Sequence, residues 1–315
     1  MSRAFIFPGQ GAQTIGMGRD LAENYADARA VFEEVDEALG EKLSALIWEG
    51  EADELTLTRN AQPALMATSM AAMAALNAEG VTLKDTADYV AGHSLGEYSA
   101  LCAAGSITLA DAARLLRIRG DAMQKAVPQG EGAMAALLGL DFAQAMEVAQ
   151  EAAEGEICTA ANDNDPGQVV ISGHREAILR AVDIAKAKGA KRALLLPVSA
   201  PFHCALMEPA AAAMAEALGD VDVQEPVVPL VGNVIARAES SADLIRNNLV
   251  EQVTGRVRWR ESVMWMAERG VVDFWEIGAG KALSGMVKRI DRSVETRALG
   301  SADDIKAAVA SLQDG

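Results

Sequence analysis

The strongest candidate for a nucleophile in this sequence is a serine that has a glycine two residues away on each side. Gly92, Ser94 and Gly96 form a Gly-x-Ser-x-Gly pattern, which follows the apolar run Tyr89–Ala91 and precedes a helix-forming run from Glu97 to Ala104. A strand, a sharp turn and a helix around such a serine are typical of a nucleophile elbow. The free N–H groups of the following helix favour a developing negative charge at the same place. The pattern predicts a hydrolase-like serine nucleophile, although three fixed residues in five also occur by chance in a chain rich in Ala and Gly.

A serine hydroxyl is a poor nucleophile until a base takes its proton, and this chain offers three histidines. His93 is adjacent to Ser94, and neighbours that leave a strand point in opposite directions, so we expect His93 to shape the elbow. His174 opens a predicted helix beside charged residues, which favours a surface position. His203, in a loop after Pro201, is left as the base by elimination. A lone loop histidine is otherwise more often structural than catalytic.

Two backbone N–H groups are candidates for an oxyanion hole beside Ser94. One is the N–H of Leu95, directly after the nucleophile, and the second is that of Gln10, in a Gly-rich loop after the first predicted strand. No Gly-Lys-Ser/Thr follows this loop and its third glycine is out of register. These departures exclude a phosphate-binding P-loop and a dinucleotide fingerprint.

An arginine occupies the apolar face of a helix that Thr108 and Asp111 open with a variant capping box. At about 100° per residue, Arg119 falls among Leu115 and Met123 rather than on the charged side of the helix. A buried guanidinium without a partner is costly. Arg119 is therefore either paired within the fold or a fixed cation for a carboxylate ligand, bound through a bidentate fork. The spacing leaves both interpretations open.

The elements around these residues alternate between strands and helices, which predicts an α/β fold with a mainly parallel, covered sheet. An apolar helix is predicted from Gln62-Pro63 to about Asn77. Residues 128–198 break the alternation with a β-α-β-β-α-β order, the ferredoxin-like split unit, whose two middle strands are joined by a predicted turn at Asn162–Pro166. We therefore expect a discontinuous catalytic domain, residues 1–127 and 199–315, and an inserted subdomain, residues 128–198.

Composition narrows the function classes. The chain has 315 residues and a net charge of −17, which argues against general nucleic-acid binding. No uninterrupted apolar run reaches transmembrane length, no metal-ligand cluster is visible, and three cysteines without paired spacing predict reduced thiols in the cytoplasm. Basic clusters at Arg175–Arg192, Arg256–Arg260 and Lys288–Arg292 are either solvated faces or docking patches for an acidic partner.

Taken together and in order, these motifs resemble the malonyl-CoA:acyl-carrier-protein transacylases of fatty-acid synthesis over nearly the whole chain. The motifs that carry the resemblance are Phe7–Gln13, Gly92–Ala100, Ile118–Gly120, Pro166–Gly173, Pro201–His203 and Gly278–Lys281. The resemblance implies an α/β-hydrolase-like core with a ferredoxin-like insert.

The resemblance also implies roles for individual residues. Ser94 corresponds to the acylated nucleophile, His203 to its base and Arg119 to the clamp on the malonyl carboxylate. Gln10 and Leu95 match the oxyanion donors, and Gln252 matches the residue whose backbone carbonyl orients the histidine, with no acidic third member. Asn162 and Asn164 match asparagines near the site, and Phe202 is consistent with a preference for malonyl over branched groups.

The implied activity is transfer of a malonyl group from coenzyme A to the phosphopantetheine thiol of acyl carrier protein, by a ping-pong mechanism through malonyl-serine. Coenzyme A enters as a thioester substrate, so no cofactor and no metal is expected. The expected partners are malonyl-CoA and acyl carrier protein, with no nucleic acid and no membrane, and we expect a cytoplasmic monomer. Alternatives are a serine thioesterase or esterase, a malonyltransferase of polyketide synthesis, and a catalytically idle scaffold.

Overall fold

The computed structural model describes residues 2–198 and 200–313. Met1, Ser199 and residues 314–315, which belong to the predicted domain bounds, lie outside the described residues. The strands are β1 Ser2–Phe7, β2 Tyr89–Gly92, β3 Gly132–Leu138, β4 Cys158–Asp165, β5 Gln168–His174, β6 Arg192–Leu195, β7 Leu230–Val231, β8 Ala238–Glu239, β9 Val271–Ile277 and β10 Glu295–Leu299.

The helices form the covering layers. They are α1 Arg19–Asn24, α2 Ala26–Leu39, α3 Leu43–Glu49, α4 Ala52–Thr56, α5 Thr58–Ala78, α6 Leu83–Thr86, α7 Gly96–Ala103, α8 Leu109–Lys125, α9 Phe142–Ala153, α10 Arg175–Ala187, α11 Glu208–Gly219, α12 Ala242–Thr254, α13 Trp259–Ala267, α14 Ala282–Ile290 and α15 Ala302–Gln313, with a 3₁₀ turn at Ala205–Met207. Within the described ranges, no helix, the long α5 included, is both long and apolar enough to cross a membrane.

The larger sheet has the strand order β10-β9-β1-β2-β7-β8 and is parallel except at β8. Its central strand β1 is buried on both faces: Phe5 and Phe7 enter one apolar cluster, while Ala4 and Ile6 enter another. This alternation follows from the two-residue period of a strand, and it explains the nearly continuous apolar run in the sequence. Because β1 pairs in parallel with β2, with Phe7 opposite Gly92, the loops that follow these strands leave the same edge of the sheet side by side.

The smaller sheet is antiparallel, with the order β4-β5-β3-β6. Ala135 and Leu137 on β3 pack with α9 and α10 in a separate apolar cluster, whereas Met134 and Ala136 belong to the same apolar cluster as Phe5 and Phe7 of the larger sheet. The predicted fold class, α/β with a mainly parallel sheet and an antiparallel βαββαβ insert, is confirmed. We keep the division into residues 1–127 with 199–315 and residues 128–198 as a proposal.

Two predicted elements were wrong in their bounds. The predicted turn at Asn162–Pro166 is mostly strand, because β4 continues to Asp165. Two of its carboxylates form ion pairs with arginines of later helices: Asp163 pairs with Arg260 of α13 at 2.8 Å, and Asp165 pairs with Arg289 of α14 at 2.7 Å.

The second error concerns α5, which begins at Thr58 and contains Pro63 inside the helix, instead of starting at Gln62-Pro63. The first turn of α5 packs closely on α8, since a Cβ on Gly120 would lie 2.5 Å from the Cα of Arg59. We attribute the earlier start to this packing, which outweighs the one backbone hydrogen bond that the proline removes.

Candidate active site

Ser94 stands on a strained turn between β2 and α7. Its φ is 54°, a left-handed value that non-glycine residues rarely adopt. Both flanking glycines are required sterically: a Cβ on Gly92 would lie 1.9 Å from Gly96, and one on Gly96 would lie 2.3 Å from the carbonyl oxygen of Phe7. The Ser94 N–H donates to Oδ1 of Asn233 at 2.8 Å, and Nδ2 of Asn233 donates to the Gly92 carbonyl at 2.6 Å. These contacts hold the predicted elbow in its strained form.

His203 faces the serine from the opposite side of the site. Its Nε2 lies 2.8 Å from Ser94 Oγ, and its Nδ1 lies 2.9 Å from the carbonyl oxygen of Gln252 and 3.2 Å from that of Gly255. A carbonyl oxygen only accepts hydrogen bonds, so Nδ1 carries the proton and Nε2 presents its lone pair to the serine hydroxyl. Two carbonyls thus stand where many serine enzymes have a carboxylate.

Burial keeps this imidazole neutral. His203 is 4% exposed, and burial together with the nearby Arg119 cation lowers its pKa to about 3. A charged imidazole would be poorly solvated here and repelled by the guanidinium. At neutral pH, His203 is therefore in the form that can accept a proton from Ser94.

Arg119 is buried, as the helical spacing predicts, and is 1% exposed. Its guanidinium donates to uncharged oxygens: Oε1 of Gln62 at 2.6 Å, Oε1 of Gln252 at 2.8 Å and Oγ of Ser94 at 3.1 Å. Burial lowers the pKa of Arg119. These partners satisfy Nη1 and Nη2, while Nε has no hydrogen-bond partner within the described residues. None of the three partners is a carboxylate, so the charge that faces Ser94 is not neutralised by a direct ion pair.

The two predicted oxyanion donors lie beside the serine. Gln10 follows β1 and Leu95 precedes α7, and both line the same cavity as Ser94. Within the described residues, neither N–H is taken by a backbone acceptor of the loops and turns. The Gln10 side chain is held by Thr58, whose Oγ1 donates to Oε1 of Gln10 at 2.9 Å.

A cavity of about 560 Å³ lies between the two sheets. One wall carries the catalytic candidates, and the other comes from alternate residues of β3 and β5, which are Met134, Ala136, Gln168 and Val170. Asn162 and Phe202 also line the cavity. Asn164 lines it too and places Oδ1 2.8 Å from Nε2 of His93. The volume is in the range of small-molecule sites.

The other two histidines do not reach the nucleophile's hydroxyl. His93 is bonded to Asn164, as above, and also limits the Gly-rich loop, since a Cβ on Gly9 would lie 2.6 Å from the His93 carbonyl oxygen. His174 lies at the end of β5, where its Nδ1 accepts from the Ile157 N–H at 2.9 Å.

Four residues of the site were missed by the sequence analysis as contributors: Thr58, Gln62, Glu97 and Asn233. Gln62 and Glu97 lie inside quoted motifs or elements, but nothing in their spacing indicates a polar contact with Arg119 or its neighbours. Asn233 comes from a loop 139 residues beyond Ser94, so no local signal connects the two. Among the residues the structure covers, no group of His, Cys, Asp or Glu could hold a metal ion, and Cys102, Cys158 and Cys204 are free thiols.

A serine on an elbow, a neutral histidine and a buried cation share one cavity, an arrangement typical of enzymes that carry out serine-dependent acyl transfer. Comparison with known proteins agrees with this class. The family model described as "Acyl transferase domain" matches residues 4–309, and the chain belongs to this family.

Individual relatives are similar over their whole length. A protein of Escherichia coli strain K12 named malonyl CoA-acyl carrier protein transacylase is 48% identical over 97% of this chain and 98% of its own. A solved structure of acyl-carrier-protein-S-malonyltransferase from Bartonella henselae is 56% identical, with a TM-score of 0.97 over 99% of this chain and 100% of its own. A malonyl-transacylase solved with a type II PKS acyl-carrier protein is 43% identical, with a TM-score of 0.96 over 99% of this chain and 100% of that one.

Proposed function

We propose that this protein is an acyltransferase that moves a malonyl group from coenzyme A to the phosphopantetheine thiol of acyl carrier protein, through a malonyl-serine intermediate. The observation that carries the proposal is the Arg119 cation, 3.1 Å from the nucleophile and bonded to uncharged oxygens. A malonyl thioester places one carboxylate two bonds beyond the reacting carbonyl, so a fixed cation beside the serine selects it.

In the first half-reaction, Ser94 Oγ attacks the thioester carbonyl while its proton passes to Nε2 of His203. The N–H groups of Leu95 and Gln10 bind the oxyanion, and loss of one such donor typically costs about 3 kcal/mol of barrier. Collapse forms the ester C–O bond and breaks the C–S bond. The departing coenzyme A sulfur takes the proton from His203.

In the second half-reaction, the carrier's phosphopantetheine thiol replaces coenzyme A. His203 Nε2 accepts the thiol proton, sulfur attacks the malonyl-serine ester, and the C–O bond breaks. Ser94 Oγ recovers its proton from the imidazolium. The carbonyls of Gln252 and Gly255 hold the imidazole ring in one orientation through both steps.

The same geometry accounts for selection against uncharged acyl groups. Arg119 lowers the pKa of His203, so a bound carboxylate that offsets this charge makes His203 a better base. The carboxylate also draws the guanidinium away from Ser94 Oγ. An acetyl group does neither, because it brings no carboxylate to the buried guanidinium.

We also propose the setting expected from the sequence: a cytoplasmic monomer that uses coenzyme A only as a substrate, without cofactor, and docks acyl carrier protein. All three basic clusters are partly neutralised within the fold: Lys188 pairs with Glu151 at 2.9 Å, Arg260 with Asp163 at 2.8 Å and Arg289 with Asp165 at 2.7 Å. Arg292 stays exposed just beyond α14, the helix that lines the cavity through Leu283 and Met286, and is the charge we favour for docking.

A labelling experiment separates the candidate functions. The protein is incubated with malonyl-CoA labelled in the malonyl group, the acyl-enzyme is isolated, and holo-acyl carrier protein is added. Label on Ser94 that passes to the carrier supports transfer, while rapid release to water supports a thioesterase and an unlabelled protein supports a scaffold. Ser94→Ala is the matched control. Carriers of fatty-acid and type II PKS systems tested in parallel identify the pathway, since a solved relative is bound to a type II PKS acyl-carrier protein.

A further inference from the structure

A buried carboxyl lies directly behind the arginine and is not used in the chemistry above. Glu97, in the first turn of α7, is 1% exposed. Its Oε2 accepts from Nε2 of Gln252 at 2.6 Å and from the Asn233 N–H at 3.2 Å, and its Oε1 has no hydrogen-bond partner in the described residues. A carboxyl group this deep, with one oxygen unsatisfied, is expensive to keep as an anion.

The side chain of Gln252 connects this carboxyl to the cation. Its Oε1 accepts from Nη2 of Arg119 at 2.8 Å while its Nε2 donates to Glu97, so one amide separates two opposite charges. The same Nε2 donates to the Ser94 carbonyl at 3.0 Å, and the Gln252 backbone carbonyl holds His203. Glu97 is therefore hydrogen-bonded to a residue that also contacts Arg119, Ser94 and His203.

We propose that Glu97 is a positioning residue: it is the counter-charge of Arg119, held one amide away by Gln252, and it takes up a proton when a substrate carboxylate binds the arginine. A direct Arg119–Glu97 ion pair would occupy the guanidinium edge that the substrate needs. Separation by an amide keeps that edge open while still stabilising the empty site. This inference rests on the proposed function, in which Arg119 binds the malonyl carboxylate.

The charges around Glu97 support this direction of proton movement. Burial raises the pKa of Glu97 to about 7, against the opposing effects of Gln252, Asn233 and Arg119. A malonyl carboxylate on Arg119 offsets the cation, so the pKa of Glu97 rises further and its protonated form is favoured. By reciprocity, protonated Glu97 favours malonyl binding.

Other titratable groups near this point are few. Tyr98 is the neighbour on α7, and burial raises its pKa to about 12, while His203 is neutral for the reasons given above. Apart from Arg119, the charged residues of the surrounding elements are directed elsewhere. On β1, Arg3 pairs with Asp273, and on α5, Arg59 pairs with Asp121 of α8. The remaining charges of α8 and α12 pair as Arg114–Asp111, Arg117–Glu41 and Arg246–Asp243, or are exposed, as Lys125 and Glu251 are.

The test uses malonyl and acetyl thioesters of N-acetylcysteamine, which carry no phosphate that titrates. For the wild-type protein, we expect the KM for the malonyl thioester to rise roughly tenfold as pH increases from about 6 to about 8.5, with kcat little changed. Glu97→Gln keeps the shape and should give a KM that is low and flat over this range. Asp36→Asn, another buried carboxyl-to-amide change, should keep the wild-type profile, and the acetyl thioester should show no such rise.

A flat wild-type KM profile, with malonyl-serine still formed, would overturn the role of Glu97 and leave the proposed function intact. Failure to form malonyl-serine at any pH would overturn both. If Glu97→Gln does not fold, infrared difference spectra of the wild-type protein show whether Glu97 takes up a proton when the malonyl group binds. At about pH 7.5, the infrared spectrum of malonyl-enzyme minus that of free enzyme should show the appearance of a band from a protonated carboxyl group. Acetyl-enzyme should show none, and absence of the band in malonyl-enzyme contradicts the proposal.

Discussion

Replacing Arg119 by alanine should reverse the substrate preference of the site. The change removes the cation whose Nη2 lies 3.1 Å from Ser94 Oγ, and it leaves the elbow, His203 and the N–H groups of Gln10 and Leu95 in place. A malonyl carboxylate would then enter a buried cavity without its partner. An acetyl group would no longer face a buried cation to which it offers no carboxylate.

The size of the effect follows from the burial of the arginine. Removing one member of a buried charge pair costs about 3–5 kcal/mol, so kcat/KM for malonyl-CoA should fall by about 150- to 5,000-fold. For acetyl-CoA, the loss of Arg119 removes a charge that lowers the pKa of His203 and a hydrogen bond that occupies Ser94 Oγ. We expect kcat/KM for acetyl-CoA to rise by about tenfold.

The assay is the rate of acyl-serine formation from labelled malonyl-CoA and acetyl-CoA, each at limiting concentration. Arg117→Ala is the matched control on the same helix, because Arg117 bonds to Asn60 and Glu41 instead of lining the cavity. Both rates should stay within about threefold of wild type in this control. A malonyl rate that also stays within threefold in Arg119→Ala would refute the carboxylate clamp.

Three further predictions concern the base, the elbow and the docking face. His203 must be neutral to accept a proton, and its pKa is lowered to about 3. The value of kcat/KM should therefore fall on acidification only below about pH 5. A fall of kcat/KM near the ordinary histidine pKa would contradict a neutral buried base. Gly92→Ala places a Cβ 1.9 Å from Gly96 and should lower the free energy of unfolding in urea by roughly 3 kcal/mol. Gly219→Ala, with open space around it, should change that free energy by less than about 1 kcal/mol, and equal losses in the two variants would rule out the steric argument. Arg292→Glu should raise the KM for acyl carrier protein several-fold without altering acylation by malonyl-CoA, and an unchanged KM would move the docking face elsewhere.

Most of the features predicted from the sequence depend on local patterns of residues. The elbow at Ser94 and the burial of Arg119 depend on residues within one or two turns of chain, so spacing alone indicates them. The βαββαβ order of the insert is likewise predictable, because each strand and helix has its own pattern in a consecutive segment of the sequence. Gln252 was different: only the family resemblance indicated it, because its carbonyl meets His203 across 49 residues of chain.

Contacts between distant segments account for what was missed. Asn162–Pro166 has the composition of a turn, yet β4 runs through Asp165 because Arg260 and Arg289 neutralise its carboxylates inside the protein. Neither arginine is close to β4 in the sequence. Propensity describes a segment in isolation, and here tertiary ion pairs outweigh it.

The strand β3 serves two compartments at once. Met134 and Ala136 face the acyl cavity, whereas Ala135 and Leu137 hold the insert's own apolar cluster. Because the two sets alternate along one strand, substitutions at Met134 or Ala136 change the lining of the cavity without changing the apolar cluster of the insert. The size of the group that the cavity accepts and the stability of the insert can therefore diverge independently during evolution, without any change to Ser94, His203 or Arg119.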